Sequence, residues 1–200
     1  MDSNYLKLNE SKTEILCVKQ PRVNNPLSDP FCLNVCGSLI TPSDHVRDLG
    51  VVLNANFDLQ KQVNTVCKAA YFELHRISRV RDFIDENALR DLIQWQVISR
   101  LDFCNSLYAG LSVASRSQLQ RVQNSAARLI VKAKKSDHIS PILQHLHWLP
   151  VKFRVSYKIN MLTHKILFGD APSYLKELIM YHEPTRPLRS LDDHYLEVPR

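Results

Sequence analysis

Two rows of basic side chains are the features of this sequence best suited to engaging a ligand. Lys61, Lys68, His75 and Arg79 recur at steps of seven, seven and four, with Arg76 beside them, and Arg121, Arg128, Lys132 and Lys135 recur at seven, four and three. On a helix, such steps stack side chains along one face. Cations at successive turns can neutralise phosphates along a nucleic-acid backbone, a contact that sets position and affinity and reads no bases. Lys61, Lys68, Arg76, Arg79, Arg121, Arg128 and Lys132 are therefore the candidate nucleic-acid contacts. The competing reading is a solvated face that only keeps the chain soluble.

Other chemistry has thinner support. Phosphoryl transfer by two metals needs carboxylates around a metal pair about 3.5–4 Å apart. The only adjacent Asp pair, Asp192-Asp193, lies among Pro184, Pro187 and Pro199, far from any predicted strand, and reads as a solvated turn. With glycines only at 37, 50, 110 and 169, neither a Walker loop nor a GxGxxG can be written. Cys32, Cys36 and His45 could offer three zinc ligands, but no second CxxC or HxxxH completes a tetrahedron, so buried thiols and an exposed turn are the expectation. His138, His145 and His147 gather around a predicted helix and Trp148 and read as packing and capping groups; no base is assigned to Cys104. The expectation is no catalytic residue, no metal ligand, no cofactor and no small-molecule substrate.

The composition fits an ordinary folded chain: 200 residues, 44% apolar and 23% charged. No apolar run approaches the roughly 20 residues that cross a bilayer, and Met1-Asp2-Ser3-Asn4 does not open a leader, so no membrane span and no secretory signal are expected. Five cysteines at 17, 32, 36, 67 and 104 form an odd, irregular set, which predicts reduced thiols and an intracellular location, cytoplasmic or nuclear. The net charge of +6 is unevenly spread. Residues 1–59 carry 5 basic and 7 acidic side chains, residues 60–135 carry 13 and 6, and residues 136–200 carry 8 and 7. The basic surplus thus sits in the middle, as expected of a segment that faces polyanions.

The elements that must position these residues follow from periodicity. The apolar run 14–19 predicts a strand ended by Pro21, and Pro26 and Pro30 make the next stretch a loop. Cys36-Gly37 forms a two-residue turn between the runs 32–35 and 38–41, and a further run spans Val46 to Leu53. At Phe57 the period changes from two to 3.6. Val63, Val66, Ala70, Leu74, Ile77 and Ile84 mark a helix within 58–84. Asp85 caps a second, running through Leu89, Ile93, Val97 and Leu101 towards Tyr108, with Trp95 and Ile98 on another buried face. A third spans Leu119 to Ala133; Ser140-Pro141 opens a short one to about Leu146; Pro150 opens another to Gly169; and Asp170 with Pro172 opens a last one to about Tyr181. The fold class is α+β, mainly α, with a short N-terminal hairpin or partial sheet before a helical bundle. The expected units are 1–55, 56–135, 136–183 and an extended tail, 184–200. A partial sheet leading a helical chain suggests a piece of a larger fold, and its open edge predicts self-association.

Several phrases then match a known family: Leu8-Asn9-Glu10-Ser11-Lys12-Thr13-Glu14, Val46-Arg47-Asp48-Leu49-Gly50-Val51, and Ser99-Arg100-Leu101-Asp102-Phe103-Cys104-Asn105-Ser106-Leu107. They continue with Leu119-Gln120-Arg121-Val122-Gln123-Asn124-Ser125-Ala126-Ala127-Arg128-Leu129, Leu146-His147-Trp148-Leu149-Pro150-Val151 and Ala171-Pro172-Ser173-Tyr174-Leu175. In this order, across nearly the whole chain, they resemble the C-terminal part of the reverse transcriptases of LINE-type non-LTR retrotransposons of the jockey and chicken-repeat groups. The resemblance implies that 1–55 ends a polymerase palm, with Lys12 near the leaving pyrophosphate and Val46 to Leu53 as a primer-grip hairpin. It implies that 56–135 is thumb-like, that 136–183 follows the thumb, and that the partner is RNA or an RNA–DNA duplex. In that family the catalytic Asp pair and its Mg lie upstream of the Leu8 phrase, outside this sequence. A truncated RNA-directed DNA polymerase that does not itself polymerise is the reading this gives. Two others stay open: a helical protein-interaction module using Trp95 and Trp148, and an idle remnant.

Overall fold

Strand alternation gives way to helical periodicity at Phe57, and the architecture changes there too. The computed structural model describes residues 9–18, 32–35, 37–182 and 195–197, and the described chain is α+β and mainly helical. β1 (Leu33–Val35) and β2 (Ser38–Ile40) pair antiparallel with Val35 opposite Ser38, and Gly37 takes the left-handed φ of 96° that this turn needs. β3 (His45–Asp48) and β4 (Val51–Asn54) pair likewise, with Asp48 opposite Val51. The run 46–53, which alternation alone reads as one strand, is folded in half at Leu49 and Gly50, both left-handed. The two hairpins form separate two-stranded sheets among the described residues.

The strand predicted at 14–19 is corrected for its described part, residues 14–18. Only an isolated bridge joins Ile15 to Pro42, with Ser43 N donating to Ile15 O at 2.8 Å. Pro42 has no N–H to extend a ladder.

α1 (Gln60–Val80) buries Val63, Ala70, Leu74 and Ile77, and a 3₁₀ turn, Arg81–Phe83, follows it. α2 (Glu86–Ile93) is capped as expected, Asp85 Oδ1 accepting from Ala88 N at 2.9 Å. It continues through a π-helical segment, Gln94–Ile98, into α3 (Ser99–Asp102). Here two expectations are corrected. The helix stops at Asp102 rather than Tyr108, because Cys104 turns left-handed (φ 50°) and Asn105–Gly110 is 3₁₀. Trp95 is 76% exposed while Ile98 is fully buried, because the wide turn, in which Ser99 N donates to Gln94 O, rotates the residues after it relative to those before.

α4 (Val113–Val131) starts earlier than its apolar run because Ser112 caps it, Oγ accepting from Ser115 N at 3.1 Å. α5 (Ile139–His145) begins at an N-cap of His138, not Ser140, which leaves Pro141 inside the first turn, where a missing N–H is harmless. α6 (Val151–Leu167) follows Pro150 as predicted, whereas the last predicted helix is only a 3₁₀ stretch, Ser173–Leu178. The extended tail predicted at 184–200 lies outside the described residues except for 195–197, where Leu196 bridges Tyr181.

The core sits between α1, α4 and the α2–α3 rod. Ile93, Val97 and Ile98 meet Val63 and Ala70 from α1 and Leu119, Val122, Ala126 and Ala127 from α4, all at or near zero exposure. Each larger side chain there contributes about 1.5–3 kcal/mol by burial. The alanines let the backbones approach closely. α1 and α4 run parallel: Gln60 meets Ser115 and Gln118 at one end, and Asp82 meets Lys132 at the other. The β3–β4 hairpin docks on α1, where buried Gln62 accepts from Val52 N at 2.9 Å.

Candidate nucleic-acid interface

Parallel packing of α1 and α4 brings the two basic rows to one side of the molecule. Asn64, Cys67 and Tyr71 of α1 and Gln118 and Arg121 of α4 line a shallow groove between the helices. By helical geometry, Lys61, Lys68 and His75 stand one step outward from the α1 wall of that groove. The seven candidate cations divide by what holds them. Lys61, Lys68, Arg79 and Arg121 are exposed, and no carboxylate of the described residues pairs with them. Arg76 is committed to Glu73 at 3.3 Å and lies 5.9 Å over the Phe72 ring. Lys132 is not on the helix proper: it is the left-handed C-cap of α4 and reaches Asp82 at 3.4 Å. Arg128 is half-buried and donates to the Asp137 carbonyl at 3.1 Å, closing the turn after α4. Four cations thus face solvent uncommitted, and three are tied to local structure.

Sequence reading missed a second polar centre, built around α6. Arg154 donates through Nε to Asp102 Oδ1 at 2.8 Å and through a second nitrogen to Oδ2, a bidentate pair. Asn105 Nδ2 donates to the same carboxylate at 3.3 Å. At the N-terminal end of α6, Gln120 Oε1 accepts from Val151 N and Gln123 Nε2 donates to Leu149 O, each at 2.8 Å. Pro150 offers no side-chain cap, so an amide at the start of α6 is satisfied from α4 instead. A signal for this region was present: residues 138–169 hold four Lys or Arg and no Asp or Glu. Counting charge over 136–200 averaged it away.

The remaining candidates do not assemble. Among the described residues no group of three or more His, Cys, Asp or Glu could hold a metal ion. Asp192, Asp193 and Cys36 lie outside the described residues. Burial pushes the Cys67 thiol up, with Arg121 opposing, so it is a poor nucleophile. Cys104 is exposed, and Lys12 is exposed in a 3₁₀ turn, Glu10–Lys12. No helix among the described residues is long and apolar enough to cross a membrane. In comparisons with protein-family models, curated proteins and solved structures, none matches this chain.

Proposed function

We propose that this chain binds the phosphate backbone of RNA or an RNA–DNA duplex without reading base sequence, in the manner of the thumb of a LINE-type reverse transcriptase. The observation that carries the reading is the α1–α4 face, where Lys61, Lys68, Arg79 and Arg121 stand exposed with no carboxylate of the described residues to neutralise them. Uncommitted cations exchange counterions for phosphates, and that exchange is the source of sequence-independent affinity. Polymerisation is not part of the proposal, because the resemblance assigns it to aspartates that these 200 residues do not carry.

The test is binding to an RNA–DNA hybrid across a salt series. Changing Lys61, Lys68, Arg79 and Arg121 together to Gln should lower the slope of log affinity against log salt by up to about 3.6, at roughly 0.9 per phosphate contact. An unchanged slope would sink the proposal. The interaction-module reading draws on the exposure of Trp95 and Phe83, at 76% and 87%. It is favoured if a Trp95→Ala variant loses a defined cross-linked protein while the wild-type chain fails to shift the hybrid.

A further inference from the structure

A cleft of about 320 Å³ opens beside α6, against the 3₁₀ segment Asn105–Gly110. Its size falls within the range of small-ligand sites, roughly 300–1,000 Å³. Arg154, Tyr157, Lys158 and Met161, at helical steps of three, four and seven, line it from one face of α6. His147, left-handed (φ 55°) just after α5, and Leu149 line it from the segment between α5 and α6.

The charges do not cancel. The only carboxylate in the lining, Asp102, is taken up by Arg154 and Asn105, and no carboxylate of the described residues pairs with Lys158. Asn105 is spent inside the protein, its amide nitrogen on Asp102 and its Oδ1 buried out of reach of the cleft. A ligand that suits the accessible lining has an anionic group for Lys158 and a flat ring for Tyr157.

We infer that this cleft binds one nucleoside monophosphate unit, its phosphate at Lys158 and His147 and its base against Tyr157. The unit is either a free nucleotide or one residue of a single strand. The inference goes beyond the duplex-binding proposal and does not depend on the α1–α4 face.

The experiment is an NMR titration of the full chain with uridine 5′-monophosphate, uridine, inorganic phosphate and octauridylate. The variants are Lys158→Gln, Tyr157→Ala and the four-residue Gln variant, each checked for native amide dispersion. The monophosphate should shift resonances of His147 and Lys158 and bind at least about fivefold more tightly than uridine or phosphate. Lys158→Gln and Tyr157→Ala should each weaken it by about fivefold or more, while the four-residue variant binds it as wild type does. Equal binding of phosphate and monophosphate, or indifference to both single variants, would overturn the assignment. Octauridylate binding tenfold or more tighter through the same residues identifies a strand; equal affinity identifies a free nucleotide. A wild-type chain that binds the monophosphate but not the hybrid defeats the duplex proposal alone, and one that binds the hybrid but not the monophosphate defeats only this one.

Discussion

Asp102 shows how much a single residue can tie together. Its carboxylate joins Arg154, 52 positions later, to Asn105, and so fixes the end of the α2–α3 rod to α6. The two side chains of the pair keep 20% and 32% of their exposure, so solvent screens part of their attraction, while the bidentate geometry retains more than an ordinary surface pair would. Asp102→Ala should therefore lower unfolding stability by about 1–2 kcal/mol in urea titration. A loss under a few tenths would show that the pair merely decorates the surface. Nothing in the sequence links these positions, since long-range side-chain pairing leaves no periodic trace. Gln120 and Gln123 are similar: they stand in the clearest helical run of the chain, but their role, holding the backbone at Leu149 and Val151, exists only once α4 and α6 cross.

Among the elements, α1 has the least conventional start. Its N-cap position is Leu59, left-handed and without a capping side chain, and Asp58 supplies the missing acceptor, Oδ1 taking the Gln60 N–H at 2.9 Å. The Gln60 amide, with the Asn54 side chain adding to it, holds the Asp58 carboxyl below its usual range. A depressed folded pKa means stability that is present above the unfolded value and lost as pH falls through the folded one. Below about pH 4, the ordinary range for Asp, the first turn of α1 should loosen before the rest of the helix. Helical chemical shifts at Gln60–Val63 would report it, and Asp58→Asn should remove the pH dependence; identical titration of both proteins would count against this cap. Existence and type of the long helices were legible from periodicity, as was the Asp85 cap. The π-helical segment was not: Ile93, Val97 and Ile98 read as ordinary apolar spacing, and only packing against α1 and α4 selects the wide turn that buries all three.

At the scale of the whole molecule, the parallel arrangement of α1 and α4 turns two separate rows of charge into one face. It also sorts the charges, which gives a second test of the duplex proposal. Changing Arg76, Arg128 and Lys132 to Gln should lower the salt slope by less than about one, against up to about 3.6 for Lys61, Lys68, Arg79 and Arg121, because the first set is already spent on Glu73, Asp82 and the Asp137 carbonyl. Equal effects of the two sets would mean that total charge, not its placement, governs binding.

The sequence by itself determined the α+β, mainly helical class, the change of period at Phe57, the Gly37 turn and the rows of lysine and arginine, because each depends on neighbours within a few positions. Tertiary structure alone decided which cations are free, where Trp95 points, and that Asp102, Asn105, His147 and Lys158 share one cleft. Those outcomes depend on helix crossings and on bonds between residues far apart in the chain, and local periodicity carries no information about either.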